Sequence, residues 1–168
     1  ARLDAGVVKL NKQWHPVEEI IGTVLTGLQN HLFGRKVKVN IPSGVPLIYA
    51  DAVLVEQVLI NLIENALRYT PSGTNIDILV ETLPQEVKIA VTDYGPGIPE
   101  GEEENLFEKF YQANKEGAQS GVGLGLTICR AIVEAHGGSI SVHNNPDGGA
   151  VFTFTLPNDQ QPPQLEES

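Results

Sequence analysis

The chain has 168 residues, with no methionine, one cysteine, one tryptophan, and 11 cationic side chains against 21 acidic ones. A single cysteine, Cys129, rules out an internal disulfide, and no Cys/His cluster has zinc spacing. Cys129 falls in Leu126-Thr127-Ile128-Cys129-Arg130, inside an expected helix, where it reads as a small buried residue rather than a reactive thiol. The formal charge of −10 argues against nonspecific nucleic-acid binding and against docking on anionic lipid. No run of about 18 apolar residues occurs, so nothing is expected to span a membrane, and there is no signal-peptide pattern. The missing methionine and a beginning in mid-pattern predict a piece of a longer protein, with a cytoplasmic location expected for this piece.

What is present reads as one globular domain, since 41% of residues are hydrophobic and 19% charged. Residues 1 to about 14 show little periodicity. Pro16 suits the first turn of a helix, and Ile20, Ile21, Val24, Leu25, Leu28 and Leu32 then recur at helical spacing. Residues 37–41 alternate like a half-buried strand, and residues 47–50 form a second short one. Asp51 is a fitting N-cap for a long helix reaching Tyr69. Residues 75–82 and 86–92 predict a hairpin across Pro84-Gln85, and residues 139–143 and 150–156 predict another. Between them lies a stretch rich in Gly and Pro, then a helix from Leu124 to His136 that Gly137 ends. The tail from 158 to 168, rich in Pro, Gln and Glu, is expected to be disordered. Helices mixed with hairpins predict an α+β fold, a two-layer sandwich of about three helices on a mixed, mostly antiparallel sheet.

Three features carry chemistry. Asn61 and Asn65 are four apart on an apolar helix, with Arg68 three further along the same face. Amides so placed need partners: a magnesium ion with its waters and phosphate oxygens, or neighbouring backbone. Asp93 closes a strand before Gly95-Pro96-Gly97, where it can accept from an exocyclic amine such as that of adenine, or form an Asx turn. Gly121-Val122-Gly123-Leu124-Gly125 precedes a helix and can bring backbone N–H groups to phosphates, or be a plain flexible loop. It is neither a Walker A sequence nor a dinucleotide fingerprint. His15, His31, His136 and His143 share no spacing for a metal or triad and read as surface or capping residues. Trp14 reads as a packing anchor at the domain edge, and the acidic run Glu100, Glu102, Glu103 and Glu104 as a solvated helix start.

Taken in order, these pieces resemble the catalytic ATP-binding domain of sensor histidine kinases, within the gyrase, Hsp90, histidine kinase and MutL superfamily. Asn61 to Thr70 is similar to its N box, Asp93-Tyr94-Gly95-Pro96-Gly97 to the G1 box, and Leu106 to Tyr111 to the F box. Gly121 to Gly125 is similar to the G2 box, and Gly148 to Thr153 to the closing glycine-threonine strand. The resemblance covers residues 15–157. Residues 59–67, 114–116 and 121–138 are also similar to the potassium-responsive branch of that family.

The resemblance implies a Bergerat-type ATP-binding fold and a role for each matching position. Asn65 would bind Mg²⁺, Asn61 would help place the γ-phosphate, and Arg68 would meet phosphate. Tyr69 would line the adenine side, Asp93 would take the adenine amino group, and Gly95 and Gly97 would leave room for the base. Gly121, Gly123 and Gly125 would cradle phosphates, and Thr153 would support the adenine end. Residues 111–122 would form an ATP lid anchored by Phe107 and Phe110. The implied partners are the phosphoacceptor histidine on a separate helical hairpin, whose exit residues 1–12 resemble, and a downstream response regulator. The parent protein would be anchored at the inner membrane. Two rival functions are an ATP hydrolase of gyrase or Hsp90 type and a non-catalytic docking module. Those hydrolases carry a glutamate base where this chain has Asn61, and intact Asn65, Asp93 and G2 glycines argue against a degenerate module.

Overall fold

The computed structural model describes residues 9–108 and 122–158. Its elements in chain order are β1 (Gln13–His15), α1 (Val17–Gly27), β2 (Val37–Asn40), β3 (Ile48–Ala50), α2 (Ala52–Tyr69), β4 (Ile76–Leu83), β5 (Glu86–Asp93), α3 (Val122–Ala135), β6 (Ile140–Asn144) and β7 (Ala150–Pro157). A single 3₁₀ turn spans Asn105–Phe107 between β5 and α3.

The main sheet has five strands in the order β2-β4-β5-β7-β6. The β2–β4 pair is parallel and the other pairs are antiparallel. Strand alternation sends one set of side chains to the core: Ile76, Ile78 and Val80 from β4, Val87, Ile89 and Val91 from β5, and Phe152, Phe154 and Leu156 from β7. Against them pack Leu59, Leu62 and Ile63 of α2 and Ile132 and Val133 of α3, each at 1% exposure or less. Each such aliphatic side chain contributes about 1.5–3 kcal/mol by leaving water. The other face carries Asp77, Glu81, Lys88, Thr92, Ser141 and Thr155 and meets solvent. The two-layer α+β architecture is the one expected.

Local signals explain the helix ends. Asp51 caps α2 by accepting from the Leu54 N–H at 3.2 Å. At the end of α3, Gly137 has φ 86°, and the N–H groups of Gly137 and Gly138 bond to the carbonyls of Glu134 and Val133. That Schellman closure needs a residue without a Cβ at position 137. Pro16 is the N-cap of α1 rather than part of its first turn. Leu28 and Leu32 are buried from the turns that follow that helix, which ends at Gly27.

Two elements differ from expectation. Gln13–His15, which showed no periodicity, is a strand that pairs antiparallel with β3 and stacks Trp14 on Tyr49 at 5.0 Å between ring centroids. Three residues cannot display an alternating pattern, so only the pairing reveals them. Strand β2 is an edge strand and more exposed than half-buried, with Val39 at 37%.

Candidate nucleotide site

The long helix supplies the first wall. Asn61, Asn65, Arg68 and Tyr69 lie on one stripe of α2, one to two turns apart. The two asparagines differ sharply in their surroundings. The Asn61 Nδ2 donates to the Gly125 carbonyl at 3.1 Å, and its Oδ1 accepts from Gln57 Nε2 at 2.8 Å. Asn61 therefore ties α2 to the first turn of α3, which is the backbone-bonding alternative. Asn65 is 9% exposed, and no hydrogen bond to its carboxamide is recorded among the described residues, although no buried side-chain polar atom is left wholly without a partner. Its amide thus keeps a narrow opening to solvent. Arg68 is exposed and Tyr69 half-buried.

The C-terminal end of that helix is held by Arg35, a residue that sequence reasoning passed over. Its guanidinium donates to the carbonyls of Leu67 and Thr70 and to the hydroxyls of Thr70 and Thr74. A cation on the last carbonyls of a helix satisfies orphan acceptors and complements the dipole. Only a lone arginine after Gly34 marks it in the sequence.

The second wall is the end of β5. Asp93 is 5% exposed. Its Oδ1 accepts from the Gly95 N–H and from the Ala150 N–H, each at 3.1 Å. The first contact is the Asx turn, and the second ties it to β7. Burial raises the carboxyl above its ordinary range, opposed by the two N–H donors. No partner is recorded for the second oxygen among the described residues, so it is free to accept a ligand's donor. The turn and the acceptor are both available, because each uses a different oxygen.

The glycines have a contact reason of their own. A Cβ on Gly95 would lie 2.7 Å from Thr70 Cγ2 and 2.9 Å from the Tyr69 carbonyl, so this loop must pass hard against the end of α2. Gly149, with φ 91°, would place a Cβ 2.0 Å from the Asp93 carbonyl oxygen. Gly97 faces the Asn144 side chain. Asn144 lies just past the first expected strand of the second hairpin, and its amide brackets the Ile98 backbone.

Two expectations shift. Thr153 is buried at 7% but pairs with Ala90 on β5, whereas Phe152 pairs with Val91. Asp93 shares the face of Val91, so Thr153 lies on the opposite face of the sheet from Asp93 rather than beside it. The residue of β7 beside Asp93 is Ala150. The helix α3 begins at Val122, so Gly123 and Gly125 sit within its first turns rather than in a loop before it. The four leading N–H groups of a helix lack intrahelical partners, so those turns keep the donors an anion needs. Gly121, Phe110 and the expected lid up to residue 121 lie outside the described residues. Phe107 is described: it is buried and meets Phe152 edge-to-face at 6.3 Å, and its carbonyl accepts from the Thr127 hydroxyl at 3.2 Å.

Two residues outside the site complete the picture. Cys129 is fully buried with its thiol pushed up to about 12 by burial, which fits a core residue. His136 is buried; its Nδ1 bonds to the Ile132 carbonyl, and its Nε2 accepts from the Asp51 N–H at 3.0 Å. It is a capping residue, as one of the two readings of the histidines had it.

The pattern described as histidine kinase-, DNA gyrase B-, and HSP90-like ATPase matches residues 50–160. Sensor protein KdpD of Escherichia coli strain K12 is 44% identical over 167 residues, which is 99% of this chain and 18% of that protein. The chain therefore spans under a fifth of that relative. The catalytic domain of histidine kinase ThkA superposes with a TM-score of 0.78 at 31% identity, covering 88% of this chain and 95% of that one. ThkA in complex with the response regulator TrrA gives 0.76 at 30% identity, over 88% and 42% of the two chains. Full-length ShkA in complex with AMPPNP gives 0.80 at 27% identity, over 92% and 33%. The chain belongs to the histidine kinase-, gyrase B- and HSP90-like ATPase family. Within it, the chain is a histidine kinase catalytic, ATP-binding domain, homologous to the sensor protein KdpD.

Proposed function

We propose that this domain binds ATP with Mg²⁺ and transfers the γ-phosphoryl group to a histidine on a separate helical hairpin of its parent kinase. The observation that carries this reading is the unpartnered carboxamide of Asn65, set among apolar side chains on the same helical stripe as Arg68. Mg²⁺ takes oxygen ligands and commonly keeps waters and substrate phosphates as the rest of its shell, so one amide oxygen suits it. Among the described residues there is no group of three or more His, Cys, Asp or Glu side chains able to hold a metal by themselves. The ion, when bound, would neutralise charge on the phosphates. Arg68 would add a cation there, the first turn of α3 would offer backbone N–H groups, and Asp93 would orient the base. Phosphoryl transfer rests on such positioning and charge stabilisation rather than on covalent work by the protein.

Hydrolysis is less well supported. The residue where a hydrolase of this family carries its glutamate base is Asn61, whose amide is engaged with Gln57 and Gly125. Glu64 is exposed and turned about 100° from its neighbour Asn65.

For the parent kinase the proposal is cytoplasmic placement of this domain beside a membrane-anchored sensor, in potassium-responsive signalling, with a response regulator downstream. The complex of the similar ThkA with the response regulator TrrA supports the last of these. No helix of the described residues is long and apolar enough to cross a membrane. The deciding experiment mixes this domain, labelled ATP and Mg²⁺ with the histidine hairpin of the parent kinase. Label on histidine is the expected result. Free phosphate without phosphohistidine would make the domain a hydrolase.

A further inference from the structure

Asp93 can select a ligand only if its free oxygen points in one direction, and that direction depends on the loop from Gly95 to Ile98. One anchor of Oδ1 is the Ala150 N–H, held within the β6–β7 sheet pairing. The other is the Gly95 N–H, in a loop outside the sheet. The loop is pinned at its far end. Asn144 Oδ1 accepts from the Ile98 N–H at 2.7 Å, and Asn144 Nδ2 donates to the Ile98 carbonyl at 2.9 Å. One side chain thus gives Ile98 both bonds that a neighbouring strand would give. Asn144 is the last residue of β6 and pairs with Ala150, the residue whose N–H holds Asp93. The end of β6 therefore holds both sides of the Asp93 turn, one through the sheet and one through its amide. Gly97 passes so close that a Cβ would lie 2.7 Å from Asn144 Oδ1.

We propose that Asn144 is a positioning residue for base selection: its amide clamps Ile98, which fixes the Gly95 turn and so aims the free Asp93 oxygen at the exocyclic amine of adenine. This rests on the reading of Asp93 as the adenine acceptor. A merely structural role would lower stability without changing which base is preferred, because among the described residues no hydrogen bond joins Asn144 to Asp93.

The test is calorimetry on the 168-residue chain with ADP and with inosine diphosphate, whose base has an oxygen where adenine has the amine. Wild type is expected to prefer ADP, and Asp93→Ala to abolish the preference. Asn144→Ala is expected to reduce the preference roughly three- to tenfold, as loss of one or two exposed hydrogen bonds would. Faster hydrogen exchange at the Gly95 amide should accompany it, with the Ala150 amide unchanged. Asn144→Ala with the wild-type preference, in a protein where Asp93→Ala has lost it, overturns this proposal and leaves the Asp93 reading standing. Equal binding of both nucleotides by wild type overturns the Asp93 reading and this proposal with it. Should Asn144→Ala not fold, Gly97→Ala disturbs the same clamp from the other side, and an unchanged preference there is equally fatal.

Discussion

The Asn61 amide reaches across from α2 to donate to the Gly125 carbonyl in the first turn of α3, at 3.1 Å. One turn along the same helix, Asn65 has no recorded partner in the described structure. The asparagine pair therefore divides into a strut and an open amide, although the two residues look alike in the sequence. The strut does not itself demand glycine at 125, since a Cβ there would sit 4.0 Å from the Asn61 carboxamide carbon, an ordinary contact.

The two asparagines should separate in the laboratory. Asn61→Ala breaks a bond between helices and is expected to cost about 1 kcal/mol of stability. Asn65→Ala breaks none and should leave stability within about 0.5 kcal/mol, while abolishing the Mg²⁺-dependent part of ATP binding. Urea unfolding and calorimetry, with Mg²⁺ and with chelator, measure both. Equal ATP affinity of Asn65→Ala and wild type under both conditions would remove the proposed metal role.

Asp93→Asn keeps an oxygen for the Gly95 and Ala150 N–H groups but removes a buried charge. Because burial raises the carboxyl in the folded state, the folded protein holds its proton more tightly than the unfolded chain does. The favourable contribution of Asp93 is therefore full below its ordinary value of 3.8 and is lost as pH rises through the raised folded value. At pH 7 the Asn variant should be at least as stable as wild type, yet bind ATP poorly. Loss of stability at pH 7 would show that the charge itself holds the loop.

His136 titrates with the opposite sense of pH. Burial lowers its pKa below 6.5, opposed by its bond to Ile132. The neutral ring is needed to accept from the Asp51 N–H. Its contribution is present above pH 6.5 and is lost as pH falls through the lowered folded value. Urea midpoints at pH 7.5 and 5.5 should differ more for wild type than for His136→Gln, and an equal difference would exclude His136 as the source.

Arg35→Met should cost about 1–3 kcal/mol, because the carbonyls of Leu67 and Thr70 lose a charged donor. The methylene stem is retained, so the loss reports on the cap. ATP affinity should fall too, since Thr70 packs on Gly95 and through it on the Asp93 turn. A variant as stable as wild type would show that water replaces the guanidinium at no cost.

The elements built on local rules were legible. Asp51 announced α2, Gly137 ended α3, and two alternating pairs of strands announced the hairpins, because caps and periodicity act over a few residues. The ordered asparagine, aspartate and glycine boxes pointed to an ATP-binding kinase domain for the same reason: each box is a short chemical unit. The start of α3 was placed two residues late, since glycines read as loop even where the backbone is helical.

What only tertiary structure decided is which distant residues meet. The register of β5 against β7 turns Thr153 away from Asp93 and brings Ala150 to it. Arg35 finds the end of α2 across 35 residues, Asn144 finds Ile98 across 46, and His136 finds Asp51 across 85. No periodicity encodes such pairs, because each depends on how whole elements pack. The sequence by itself determined the elements and the chemistry on offer; packing determined which oxygen of Asp93 and which asparagine were left open for a ligand.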